Sequence, residues 1–156
     1  MALMFPRLAH NFVKNGYFPT DELSIERILG MIKVSKQPVH LLDPCCGEGW
    51  ALAELAHYCK QFDQSVFSAG IEYDVERAAH AKTMLDHVVH ADIDLCVIGQ
   101  AQFNVLFLNP PYGDRIHAQQ LSLDKNDQGK DRLEKHFLNR TLPTLCFGGL
   151  LIYIIP

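Results

Sequence analysis

Four short apolar runs in this chain end in residues able to bind or react, at Asp43, Glu72, Asp92 and Asn109. Asp43 opens Pro44-Cys45-Cys46-Gly47-Glu48-Gly49. Glycine allows positive φ and close approach of a ligand to the backbone, and a helix starting just afterwards offers unpaired N–H groups. A phosphate cradle would want Lys in this turn, but the charged residues here are Asp43 and Glu48, so a cationic or amino-bearing ligand suits it better than a polyphosphate. Glu72 lies 23 residues beyond Gly49, close to the spacing of about 20 at which nucleotide-binding α/β proteins place an acid for ribose hydroxyls. Two hydroxyls can donate to the two carboxylate oxygens, and Tyr73 is placed to lie along an attached planar ring. In Asn109-Pro110-Pro111-Tyr112, the Asn109 side-chain oxygen and the Pro110 carbonyl are adjacent acceptors for both hydrogens of an NH₂ group. Tyr112 would stack on the ring carrying that group. Two such acceptors favour the pyramidal nitrogen that attacks an electrophilic methyl group, and no strong general base is required.

The elements that must position these residues can be read from periodicity. Val39 to Leu42 reads as a strand; Leu52, Leu55, Ala56 and Cys59 recur at helical spacing behind the glycines. After a polar break at Gln61 to Gln64, Val66 to Ile71 is a second strand closed by Glu72. Asp74 to Leu85 reads as a helix with Val75, Ala78, Ala79 and Leu85 inward, and His87 to Ala91 as a third strand before Asp92. Val105 to Leu108 is a buried strand stopped by the double proline, which cannot donate to a ladder. Upstream, Thr20 is placed to cap a helix carrying Ile25, Ile28, Leu29 and Ile32. Downstream, Gly113 to Lys130 has no period and suggests a lid or target-contacting loop. Asp131 to Leu142 reads as a helix with Leu133, Phe137 and Leu138 as core contacts, ended by Pro143. Gly148-Gly149 then turns into Leu150 to Ile155, apolar on both faces like a central parallel strand. In a parallel sheet the three acids and Asn109 share one edge.

A chain of 156 residues with 48% hydrophobic composition is expected to form one domain: an N-terminal segment and helix over 1–38, then a core over 39–156. Neither an apolar run long enough to span a bilayer nor a basic-then-apolar leader occurs, so no membrane association is expected. Five cysteines without a C-x-x-C pair fit a reduced, cytoplasmic setting, and eight scattered histidines lack metal-ligand spacing, so no metal is expected. A formal charge of −4 provides no global attraction for nucleic acid.

Together these features resemble the S-adenosylmethionine-dependent amino-methyltransferases, whose first motif is an acid followed by a Gly-x-Gly turn. Asn-Pro-Pro-Tyr one strand after the third acid is similar to the motif of members that methylate adenine N6, some guanine amines, or the glutamine amide of peptide-release factors. Gly16-Tyr17-Phe18-Pro19-Thr20 resembles the segment that, in one permutation, precedes the first motif and touches the methionine end of the cofactor; family members often carry a second Pro where this chain has Asp21. The resemblance covers roughly residues 16–156 and implies a Rossmann-like core: a mostly parallel five-stranded sheet with flanking helices. It implies a cofactor site of Asp43, Cys45, Gly47, Gly49, Glu72, Tyr73, Asp92, Ile93, Tyr17, Pro19 and Thr20, with Asp92 accepting from the adenine amino group. The catalytic residues would be Asn109, Pro110, Pro111 and Tyr112, and the substrate most similar to this motif order is adenine in DNA or RNA, flipped out of any duplex. Glutamine methylation is the rival activity, but the stretch before Asp43 is too short for the helical substrate domain those enzymes usually carry. A catalytically idle, cofactor-binding scaffold is the rival of another class. The family fold normally adds two strands beyond the fifth, so a partner chain or a further C-terminal segment is expected to cover Leu150 to Ile155.

Overall fold

The computed structural model describes residues 18–34, 37–112 and 132–155. Its centre is one parallel sheet of five strands: β1 (Val39–Asp43), β2 (Val66–Glu72), β3 (His87–His90), β4 (Phe103–Leu108) and β5 (Leu145–Tyr153), in the order β3-β2-β1-β4-β5. Order reverses on the two sides of β1, so the crevice beyond β1 and β4 is the place where open α/β sheets bind ligands. The register aligns Asp43 with Gly70, Glu72 with His90, and Leu108 with Tyr153, bringing the chemistry-bearing strand ends to one edge.

Strand alternation divides the core. Val39 and Leu41 of β1 and Val105 and Phe107 of β4 face helices α1 (Glu22–Met31), α2 (Trp50–Lys60) and α3 (Val75–Ala81), whose Ile25, Leu52, Leu55, Ala56, Cys59, Ala78 and Ala81 complete the larger cluster. Leu42, Ala69 and Leu106 point to the other face, against Ile98, Phe103, Leu145 and Leu151. That face is more thinly covered, because a 3₁₀ turn at Ile93–Leu95, and no helix, lies between β3 and β4. Among the described residues no helix is long and apolar enough to cross a membrane.

Several expectations are corrected by the coordinates. Asp21, not Thr20, caps α1: its side chain accepts from Ser24 N–H at 3.0 Å, leaving the Thr20 hydroxyl for other use. The third helix ends at Ala81, with Ala78 and Ala81 as its inward residues, and Leu85 is buried in the turn that follows it; Val75 and Ala79 are exposed. Asp74 caps it through Glu76 and Arg77 N–H, which fixes Val75 as the first helical residue and turns it outward. In α4 (Leu133–Thr141) the buried residues are Glu134 and Thr141, while Leu133, Phe137 and Leu138 are half-buried. Seven positions make two turns, so Glu134 and Thr141 share the inward stripe. Arg132 pairs with Glu134 at 2.7 Å, and the Thr141 hydroxyl donates to the Phe137 carbonyl, which makes these polar groups tolerable there. Gly148 is no turn before a strand: β5 already begins at Leu145, and Gly148, with φ +75°, lies in an irregularity between the pairs Phe103–Leu145 and Val105–Leu150. Tyr17, the Gly113 to Lys130 loop and Asp131 lie outside the described residues.

Candidate functional site

The turn after β1 is built against β2. Gly47 and Gly49 both adopt positive φ, +56° and +86°, and Cys46 N–H donates to the Ile71 carbonyl at 3.0 Å. Gly70 makes room for this docking, since a Cβ there would lie 2.6 Å from Cys46 Sγ and 2.9 Å from Leu85 Cδ1. Gly49 then starts α2 without a side-chain cap, so the first N–H groups of that helix remain available at the turn.

Above the turn lies an open cleft of ≈ 350 Å³, lined by Phe18, Pro19, Thr20, Asp43, Cys45, Cys46, Trp50, Ala51, Phe107 and Asn109. Asp43 is 3% exposed and accepts from Cys45 N–H at 3.0 Å. Burial, reinforced by the neighbouring Glu72 charge, raises its carboxyl from 3.8 to about 7 against the opposing pull of Cys45. The Cys45 thiol is pushed well up by burial and then by the Asp43 charge, and Cys46 is raised mainly by burial, so both are protonated and unreactive lining groups.

Asn109 stands opposite Asp43 at the end of β4. Its Nδ2 donates to the Phe18 carbonyl and to Thr20 Oγ1, both at 2.9 Å. A carbonyl can only accept, so the amide is locked in one orientation and Oδ1 is its outward face. At present Oδ1 accepts from the Tyr112 hydroxyl at 2.8 Å, with the Ile154 carbonyl as a longer alternative at 3.4 Å. Burial raises the Tyr112 phenol above its usual range and keeps it a donor. The ring is tilted 38° against Phe18, 5.9 Å away between centroids. Pro110 is fully buried and Pro111 half-buried.

The other expected residues lie further along the same edge, outside the cleft. Glu72 is buried and heavily hydrogen-bonded. Tyr73 is 73% exposed, its carbonyl bonded to His90 Nε2 at 3.0 Å. Asp92 accepts from Asp94 N–H and caps the 3₁₀ turn, while Ile93 is buried. The structure thus gathers Pro19, Thr20, Asp43, Cys45 and Asn109 into one cleft and sets Glu72, Tyr73 and Asp92 on the two strands beside it. Phe18, part of the segment expected at the methionine end, lines the cleft, while sequence reading did not single out Cys46, Trp50, Ala51 and Phe107 as lining residues. Trp50 carried a signal, being the only tryptophan and the first residue after the second motif glycine.

A model of the family described as "Uncharacterised methyltransferase family (DUF6094)" matches residues 2–156. The chain belongs to that family. No curated protein matches the chain in sequence. Its fold is that of the class I S-adenosylmethionine-dependent methyltransferases. A candidate enzyme of that class from Listeria monocytogenes superposes with TM-score 0.67 at 18% identity, over 86% of this chain and 44% of the other. The methyltransferase subunit of a type I restriction-modification system from Streptococcus thermophilus gives TM-score 0.68 at 20% identity, over 89% of this chain and 34% of the other. A TehB-like methyltransferase from Corynebacterium glutamicum gives 0.52 at 16% identity, over 94% and 68%. The chain spans less than half the length of the first two.

The chemistry of the cleft is compatible with the amino-acid end of S-adenosylmethionine, the cofactor that the fold class implies. Arg77 pairs with Glu72 at 2.8 Å, whereas Asp43 is a buried acid that lines the cleft without an ion-pair partner among the described residues, where a ligand's positive charge would favour its ionised form. The positive-φ glycines and the uncapped start of α2 supply the close backbone that an amino-acid moiety needs.

Proposed function

We propose that this chain carries out S-adenosylmethionine-dependent methyl transfer to an exocyclic amine, with adenine N6 in DNA or RNA as the acceptor that fits best. The observation that carries the reading is the locked amide of Asn109, which lines the cleft with Asp43 and whose Nδ2 is held by the Phe18 carbonyl and Thr20, so that Oδ1, bonded now to the Tyr112 hydroxyl, is the acceptor left for a substrate. When bound, S-adenosylmethionine supplies an electrophilic methyl group on a sulfonium, whose sulfur keeps the C–S electron pair and becomes a neutral thioether. The chain's part is to aim the acceptor. Asn109 Oδ1 takes one amine hydrogen and the Pro110 carbonyl, buried in the ligand-free chain, takes the other once the acceptor uncovers it, which draws the nitrogen lone pair out of the ring and towards the methyl carbon. The Tyr112 hydroxyl yields Oδ1 by turning to the Ile154 carbonyl, and its ring packs on the acceptor's flat face. The new N–C bond leaves a protonated amine, and that proton passes to solvent.

The test is transfer of a labelled methyl group to unmethylated DNA, RNA and a glutamine-bearing protein, by wild type and Asn109→Ala. Expected is incorporation into polynucleotide that falls by at least about 100-fold in the variant, the scale of losing one oriented polar group, with S-adenosylmethionine affinity kept. Label in the protein alone would select the glutamine reading. Cofactor binding without transfer to any acceptor would select the idle scaffold.

A further inference from the structure

Glu72 closes β2 where a ribose is expected, yet its carboxylate is already committed. Oε2 accepts from Gly47 N–H at 2.9 Å. Oε1 accepts three hydrogens: from Asp74 N–H at 2.8 Å, Arg77 Nη2 at 2.8 Å and Arg77 Nε at 3.1 Å. A carboxylate oxygen has about two lone-pair sites, so Oε1 is oversubscribed and only Oε2 retains capacity. The pair is sheltered, with the Arg77 and Glu72 side chains 16% and 6% exposed, and it resists displacement better than a surface ion pair would. A ribose diol needs both oxygens. It cannot engage both while Arg77 holds this position.

The same guanidinium has a second acid within reach. Asp74 uses Oδ1 to cap α3, accepting from Glu76 and Arg77 N–H at 3.0 Å each. Its Oδ2 lies 3.9 Å from Arg77 Nη1 and is more solvated, at 33% exposure of the side chain. Arg77 therefore stands between two carboxylates on one short segment, near one and committed to the other.

We propose that Arg77 is a latch on Glu72: it occupies the oxygen that a ribose diol requires and releases it by shifting onto Asp74 Oδ2. The inference rests on the cofactor reading above. It makes Arg77 a residue that sets how strongly the site distinguishes ribose from deoxyribose in an adenosyl ligand. With the latch on, the diol is read through one oxygen; with it off, through two.

The experiment is calorimetric titration of the full chain with S-adenosylhomocysteine and with its 2′-deoxy analogue, for wild type, Arg77→Lys and Asp74→Asn. Lysine keeps the positive charge that Glu72 needs but removes the planar fork. Asparagine keeps the helix cap but removes the charge that receives Arg77. Arg77→Lys is expected to bind S-adenosylhomocysteine roughly 3- to 10-fold more tightly, with a matching rise in the preference for ribose, as freeing one charge-assisted hydrogen bond implies. Asp74→Asn should bind it more weakly. Equal or weaker binding by a folded Arg77→Lys overturns the latch and leaves the cofactor reading standing. Failure of wild type and both folded variants to bind either ligand overturns the cofactor reading and the latch with it. The Arg77 side-chain Nε–Hε NMR resonance of the wild type gives an independent reading: it should shift on saturation with S-adenosylhomocysteine, and a bound complex with the resonance unmoved overturns the latch.

Discussion

Asp43 is the residue on which pH should act. Its carboxyl is raised to about 7 by burial, with the Glu72 charge adding to the effect. The folded chain therefore holds a proton there that the unfolded chain has lost. The contribution of Asp43 to the stability of the ligand-free protein should be fully present near pH 4, fall as pH rises towards about 7, and level off above it, by on the order of 4 kcal/mol for a shift of this size. Denaturant unfolding across this range should show that slope in wild type and lose it in Asp43→Asn. Binding a cation at Asp43 should expel the proton, so S-adenosylmethionine titrated near pH 6 in buffers of different ionisation enthalpy should release a substantial fraction of one proton. A buffer-independent heat would mean that Asp43 is already ionised. The types of Asp43 and Asn109 were legible in the sequence, because each ends an apolar run at a turn. Their states were not. The raised carboxyl depends on burial, and the fixed amide depends on the Phe18 carbonyl and Thr20, groups brought together only by folding. Thr20 illustrates the point: as a cap it would have been spent, and Asp21 takes that task in its place.

At the scale of elements, the strands were legible and the helices less so. Strand ends coincide with changes of residue chemistry, such as Leu42 to Asp43 or Leu108 to Asn109, and a parallel strand buried on both faces announces itself as an apolar run. Helix phase is set by the cap: once Asp74 was the cap, Val75 had to face outward, which composition alone does not say. The irregularity in β5 was read as a turn because glycine marks both. Gly70 was read only as part of a strand, although it holds the turn of the site. Gly70→Ala would bring a methyl group to within 2.6 Å of Cys46 Sγ. Overpacking of this kind costs about 1–3 kcal/mol, and because the displaced group is the binding turn, affinity for S-adenosylhomocysteine should fall as well. Thermal unfolding with and without ligand measures both; a ligand-induced rise in Tm as large as that of wild type would show that the turn tolerates the methyl group.

At the scale of the molecule, one edge of the sheet stands out. β5 is the last strand in the order, and Phe147 and Leu150 on it are strongly exposed, with Ile155 following. Edge strands of this composition tend to pair with other chains. The chain 1–156 alone should then associate as its concentration rises in sedimentation experiments, and Phe147→Lys with Leu150→Lys should suppress this; a strictly monomeric wild type at high concentration would refute the idea. A feature at the other end of the chain has a different reach. Phe18 and Asn109 are hydrogen-bonded across 91 positions of sequence. A carboxamide is nearly symmetric in shape but opposite in polarity at its two tips, so untying this bond lets it rotate by half a turn at little steric cost. An NH₂ group would then stand where the oxygen had been, and a surface that draws an amine would repel one. On the proposed reading, the few residues ahead of the first helix, with Tyr112, thus set whether a distant side chain welcomes or rejects an amine.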